Sequence, residues 1–260
     1  MPRRALAAAQ TTPMRGDVAA NVEQHLRLAE LAAAEGAGLV LFPELSLTGY
    51  ELDLADELAF AEGDSRLDPL VDAAARLEAT LVVGAPIRIG DRLHLGAFVL
   101  APDRSIAIYT KRRLGAFGPD TNPGGPVPPA ESTIFVPGDR DPQVRVGDAT
   151  AAIAICADIG DPNHAATAAA RGASIYLASM FVIPQDYEKE SATLRSYAER
   201  HAMMVVLANP GGPTGGLPSA GGSAIWSDRG ELLGQLDASG AGWLVAIDAP
   251  SGREIRAGTL

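Results

Sequence analysis

Four times along the chain an alanine-rich amphipathic stretch is stopped by glycine or another small residue and followed at once by a short apolar run. Asp17 is placed to cap a helix reaching about Glu35, Gly36-Ala37-Gly38 ends it, and Leu39-Val40-Leu41-Phe42 reads as strand. Asp68 to Leu77 leads into Thr80-Leu81-Val82-Val83. The segment after Pro162 runs to Arg171, stops at Gly172 and passes into Ile175-Tyr176-Leu177. Tyr187 to His201 leads into Met204-Val205-Val206-Leu207. A repeated helix-then-strand unit buries its apolar faces by layering, so the class is expected to be α/β. Other stretches read as adjacent strands joined by turns: Leu95 to Leu100 with Ile106 to Thr110 across Asp103, and Ser223 to Trp226 with Gly240 to Ile247. The sheets are therefore expected to be mixed. No linker divides the chain, and one domain over residues 1–260 is expected.

Of the 260 residues, 47% are hydrophobic and 20% charged, enough to bury a sizeable core and to argue against disorder. Thirty-two acidic against 21 basic residues leave a charge of −11, which disfavours nucleic acid or an anionic membrane as partner. After Met1-Pro2-Arg3-Arg4 only Ala5 to Ala9 is apolar, too short for a secretory core, and no stretch reaches membrane-spanning length. One cysteine fits a reducing compartment, and a cytoplasmic location is expected. Lysine occurs only at 111 and 189, the other basic residues being arginine. Codon bias accounts for most of that preference; a lysine kept against it marks a place where a compact ammonium suits better than guanidinium.

The lone Cys156 ends the apolar run Ala151 to Ile155 and precedes Ala157-Asp158 and a Pro/Asn/His turn. It cannot belong to an internal disulfide, so it is either an inert core residue or a nucleophile. A thiol nucleophile needs a base or a positive neighbour. The histidines are His25, His94, His164 and His201. His25 and His201 lie in amphipathic helices and are expected on solvent faces or helix ends, His164 is expected to face water, and none stands beside an orienting Asn or Asp. A carboxylate and an ammonium offer the other route. Glu44, in Phe42-Pro43-Glu44-Leu45, and Lys111, in Tyr109-Thr110-Lys111, each sit where an apolar run stops. Ligand sites in open α/β sheets gather at such carboxyl ends. The Gly/Pro-dense segment from Gly115 to Gly138 follows Lys111 and is expected over the site, with Gly211 to Gly222 as a second, shorter loop.

These residues resemble the nitrilase superfamily of carbon–nitrogen hydrolases. Gln10, Asp17-Val18, Asn21, Gly36 through Leu45 and Thr48-Gly49-Tyr50 resemble its opening; Tyr109 through Leu114 its lysine motif; Ile155-Cys156-Ala157-Asp158 its cysteine motif, followed by Pro162 and Arg171-Gly172-Ala173. Glu131, ahead of Phe135 and Pro137-Gly138, fits the second glutamate of that family, and Ala198-Glu199, Asn209 and Gly222 through Ile225 its later landmarks. The resemblance implies a four-layer α-β-β-α sandwich with two mixed sheets, homodimeric or higher, and a small linear amide cleaved through a thioester without cofactor or metal. Glu44 would be the base, Cys156 the nucleophile, Lys111 and the backbone N–H of Ala157 the oxyanion donors, and Glu131 the partner that positions Lys111 or substrate. Asp158 reads as a turn cap or a pocket residue; Tyr50 and Asn209-Pro210 either line the pocket or make turns.

Departures from the family bear on substrate. Ala157-Asp158 stand where nitrile-hydrolysing members carry Trp-Glu, and Ile159-Gly160-Asp161 stand where carbamoyl-amino-acid hydrolases present an arginine. Amide hydrolysis is therefore expected ahead of N-carbamoyl hydrolysis and acyl transfer. A non-catalytic binding protein on the same fold and a Cys–His hydrolase are the remaining alternatives.

Overall fold

The computed structural model describes residues 5–249 and 252–260; the charged start Met1-Pro2-Arg3-Arg4 lies outside them. Two sheets carry the chain. The first runs in the order β13-β12-β1-β2-β3-β4-β5. Its strands are β1 (Ala5–Gln10), β2 (Ala37–Leu41), β3 (Thr80–Ile89), β4 (Arg92–Leu100), β5 (Ile106–Thr110), β12 (Gly242–Ala249) and β13 (Gly252–Thr259). The second runs β11-β10-β9-β8-β7-β6. It comprises β6 (Val144–Val146), β7 (Ala149–Ile155), β8 (Ile175–Ser179), β9 (Met204–Ala208), β10 (Ala224–Trp226) and β11 (Leu232–Gln235). Both are mixed, as expected: β1-β2-β3 and β7-β8-β9 pair in parallel and the flanking strands antiparallel. The stretches Ser223 to Trp226 and Gly240 to Ile247, read as neighbours, instead fall in different sheets, because β11 takes the place beside β10 while β12 pairs with β1 and β13. The four helices fall where the helix-then-strand units put them, α1 at Val18–Ala34, α2 at Asp68–Leu77, α3 at Pro162–Ala170 and α4 at Tyr187–His201. The Asp17 carboxylate accepts from the Ala20 amide at the start of α1.

The layer order follows from side-chain alternation along the strands. In β1, Ala5, Ala7 and Ala9 face α1 and α2, together with Val40, Val83 and Phe98. Leu6 and Ala8 face the other sheet with Leu39, Leu41 and Val82, meeting Ile153, Ile155, Leu177 and Val206. On the far side of the second sheet, Ala154, Tyr176, Ala178 and Val205 pack beneath Ala165, Ala168, Leu194 and Tyr197 of α3 and α4. Three apolar interfaces thus make an α-β-β-α sandwich.

Four strands, β1, β6, β11 and β13, are not apparent from the sequence. The alanine run at Ala5 has no alternation to mark it because both its faces are buried, and it forms a central strand. At the sheet edge β13 carries Arg253, Glu254 and Arg256 at largely exposed positions, charges that discourage further strand addition. No helix among the described residues is long and apolar enough to cross a membrane.

Candidate active site

Strand ends from both sheets converge on one cleft. β2 runs out into Phe42-Pro43-Glu44, β5 into Lys111, β7 into Cys156 and β8 into Met180-Phe181. The two sheets are tied at this end: the Ser179 hydroxyl donates to the Phe42 carbonyl at 2.9 Å, and the Glu44 amide to the Met180 carbonyl at 3.3 Å. Two residues here adopt positive φ without being glycine, Leu45 at 50° just after Glu44 and Cys156 at 41°. Such strain persists where surrounding structure over-determines the backbone. At Cys156 it turns the chain sharply from β7 into the short turn Cys156–Gly160, presenting the thiol at the cleft.

Lys111 is buried between two carboxylates. Its Nζ donates to Glu44 Oε1 at 2.6 Å and to Glu131 Oε1 at 2.8 Å, with no exposed surface on the lysine side chain. Glu131 is held in turn by the Tyr50 hydroxyl at 2.7 Å and the Gly115 amide at 2.7 Å. The other oxygen of Glu44, Oε2, is buried without a hydrogen-bond partner. The Cys156 thiol lies beside that carboxylate, close enough that each group alters the other's proton affinity. A buried acceptor left open is costly unless something is meant to occupy it.

The electrostatics suit proton exchange. Burial, opposed by the Lys111 ammonium and reinforced by Glu131, raises Glu44 from an ordinary 4.5 to about 7. Burial and then the Glu44 charge push the Cys156 thiol well above its usual range, Lys111 only partly offsetting them. Burial alone would lower Lys111, but the charges of Glu44 and Glu131 outweigh it and hold the group protonated. At rest the site is a neutral thiol beside a base poised near neutrality.

The cleft has a volume of about 390 Å³. Tyr50, Phe117 and Phe181 form an aromatic cluster along it, with centroids 4.9–5.7 Å apart. Met180, Val182 and Ile183 extend the apolar wall, and Arg113, Asp186, Lys189 and Glu190 stand on its lining too. Ala157 also borders it, directly after Cys156. The segment after Lys111 does cover the site, through Gly115, Ala116, Phe117 and Glu131. Lys189, the second of the two lysines, is here as well, held 3.3 Å from Glu190.

Several expectations need correction. Asp158 does not line the cleft; its carboxylate is 1% exposed and accepts from four protein donors. His25 is not on a solvent face. It is fully buried, bonded to the Asn21 carbonyl and the Ser46 hydroxyl and stacked on Phe42, and burial lowers it to about 4. His164 does not face open water but bridges the hydroxyls of Tyr109 and Tyr176 at 2.9 and 2.8 Å. Asn209 stays out of the cleft, bonding Val182 through both its backbone amide and carbonyl. Tyr50 does line it. The aromatic wall escaped notice because Phe117 and Phe181 belong to loops whose pairing no local pattern announces. Among the described residues no cluster could hold a metal ion.

Comparison with known proteins agrees with this fold. A family model described as carbon-nitrogen hydrolase matches residues 5–257. Among solved structures, a mutant amidase from Nesterenkonia sp. AN1, with the acetamide moiety of fluoroacetamide covalently added at its active-site cysteine, superposes with a TM-score of 0.82. It is 26% identical, covering 96% of this chain and 91% of that one. A cysteine-to-alanine mutant of the same amidase, in complex with butyramide, superposes equally well at 27% identity, over 96% and 92% of the two chains. The glutamine-dependent NAD(+) synthetase of Mycobacterium tuberculosis is 38% identical over 105 residues, 39% of this chain but only 15% of its own length. A nitrilase from Pyrococcus abyssi is 28% identical over 219 residues, 82% of this chain and 77% of its own.

Proposed function

This chain belongs to the carbon–nitrogen hydrolase family, the nitrilase superfamily, and we propose that it hydrolyses a small linear amide through a thioester on Cys156. The observation that carries this reading is the Glu44–Lys111–Glu131 cluster beside the only thiol, on the wall of a cleft with apolar sides.

Glu44 Oε2, which has no partner of its own, takes the thiol proton as the sulfur attacks the amide carbon. The carbonyl oxygen gains negative charge and is met by the Lys111 ammonium and the Ala157 N–H. Loss of one such preorganised donor typically costs about 10²–10³ in kcat. Glu44, now protonated, passes its proton to the departing nitrogen as the C–N bond breaks, leaving the thioester. Water then gives a proton to Glu44 and attacks the same carbon; the C–S bond breaks, Glu44 returns the proton to sulfur, and the acid leaves. Glu131, fixed by Tyr50 and the Gly115 amide, keeps Lys111 in register throughout. An acyl group of a few carbons fits against Tyr50, Phe117 and Phe181, in keeping with butyramide bound to the Nesterenkonia amidase. Ala157 in place of a tryptophan favours amides over nitriles.

Ammonia release across a panel of short linear amides, carbamoyl compounds and nitriles tests this. Amides are expected to turn over, with Cys156→Ala and Lys111→Met inactive yet folded; undiminished amide hydrolysis by Cys156→Ala overturns the reading. Hydroxylamine added as competing acceptor separates hydrolysis from acyl transfer.

A further inference from the structure

We propose that Asp158 is a positioning residue, a buried carboxylate that sets the distance between the nucleophile and the ammonium by bonding to both segments that carry them. Oδ1 accepts from the backbone amides of Arg112 at 3.1 Å and Arg113 at 2.8 Å, the two residues after Lys111. Oδ2 accepts from the amide of Ile155 at 3.0 Å, the residue before Cys156, and from the Tyr109 hydroxyl at 2.8 Å, two residues before Lys111. Lys111 is bracketed on both sides and Cys156 is gripped from its own turn. These segments belong to different sheets, β5 to the first and β7 to the second, so no ladder of backbone bonds fixes one against the other at this point. One side chain does so instead.

The orientation of Tyr109 is itself fixed. Its hydroxyl gives its proton to Asp158, so the His164 Nε2 at 2.9 Å donates to it, and His164 Nδ1 accepts from the Tyr176 hydroxyl at 2.8 Å. The chain Tyr176–His164–Tyr109–Asp158 thus runs in one direction and ends on the carboxylate behind the nucleophile. Asp158 touches no substrate, being 1% exposed and absent from the lining of the cleft. Its effect is on geometry, where a displacement of about 1 Å can cost about 10²-fold in rate.

The inference rests on the reading that Cys156 and Lys111 act together, and its decisive readout needs no amide turnover. In Asp158→Asn an NH₂ replaces one acceptor oxygen and faces donors it cannot satisfy. This variant is expected to lose about 10²-fold in kcat with KM within about threefold. Its pH profile for Cys156 alkylation by iodoacetamide is expected to move up by about one unit as the ammonium draws away from sulfur. Tyr109→Phe, which removes one of the four donors, is expected to show a smaller shift in the same direction. An alkylation profile identical to the parent's in folded Asp158→Asn overturns the proposal. Should that variant fail to fold, an unshifted profile in Tyr109→Phe overturns it. A parent that alkylates normally but turns over no amide counts against the amidase reading alone.

Discussion

The reaction proposed above asks Glu44 to hold a proton at one moment and release it at the next, and burial, opposed by Lys111 and reinforced by Glu131, brings it near neutrality. The same shift has a cost in stability whose sign can be worked out. A carboxyl raised from 4.5 to about 7 binds more protons folded than unfolded between those values, so its contribution is greatest at low pH and is lost as pH rises through about 7. Glu44→Gln removes that dependence. Measured by urea unfolding, the parent is expected to lose about 2 kcal/mol more than the variant between pH 5 and pH 8. The parent's kcat/KM is expected to rise with pH through an apparent value near 7 that belongs to the coupled group. A flat profile from pH 5 to pH 8 would contradict the assignment of Glu44 as base. Glu44, Lys111 and Cys156 were legible in the sequence because each interrupts an apolar run. The cap reading of Asp158 is legible in its turn and holds at the Ile155 amide, but its reach to amides some 45 residues away is something no local pattern exposes. The burial of His25 is not legible in the sequence, because a helical histidine counts as polar unless Ser46 and Phe42 are seen to enclose it.

At the level of elements, Glu44 depends on a close approach between its loop and β3. A Cβ built on Gly84 would lie 2.5 Å from both the Leu45 nitrogen and the Pro43 oxygen, backbone atoms on either side of Glu44. Gly84→Ala must therefore push the loop away, at a cost of about 1–3 kcal/mol, and is expected to lower kcat by more than its loss of stability accounts for. Thermal unfolding alongside single-turnover kinetics checks the pair; a destabilised variant with unchanged kcat would show that the loop relaxes without moving its carboxylate. The helices were readable from period and caps, Asp17 being a direct case. β1 was not, because a run of alanines signals neither period, and only the α1 and α2 layer on one face and the second sheet on the other explain its burial.

Across the whole molecule, the cleft exists only where the two sheets meet, so the site cannot outlast either. The shared interface joins Leu39, Leu41 and Val82 of one sheet to Ile153, Leu177 and Val206 of the other. The two tryptophans divide between them, Trp243 in β12 of the first sheet and Trp226 in β10 of the second. Trp226→Phe and Trp243→Phe each leave a single reporter. Their urea transitions by fluorescence are expected to coincide with one another and with loss of amide turnover; separated midpoints would mean that the sheets melt independently. Light scattering on the same samples tests the homodimer that the family resemblance implies. The resting protonation of Cys156 carries one further consequence. Peroxide oxidises thiolates far faster than thiols, and burial and the Glu44 charge hold this sulfur toward its protonated form. An enzyme so arranged should keep its nucleophile through oxidative stress, its warhead chemically safe while idle.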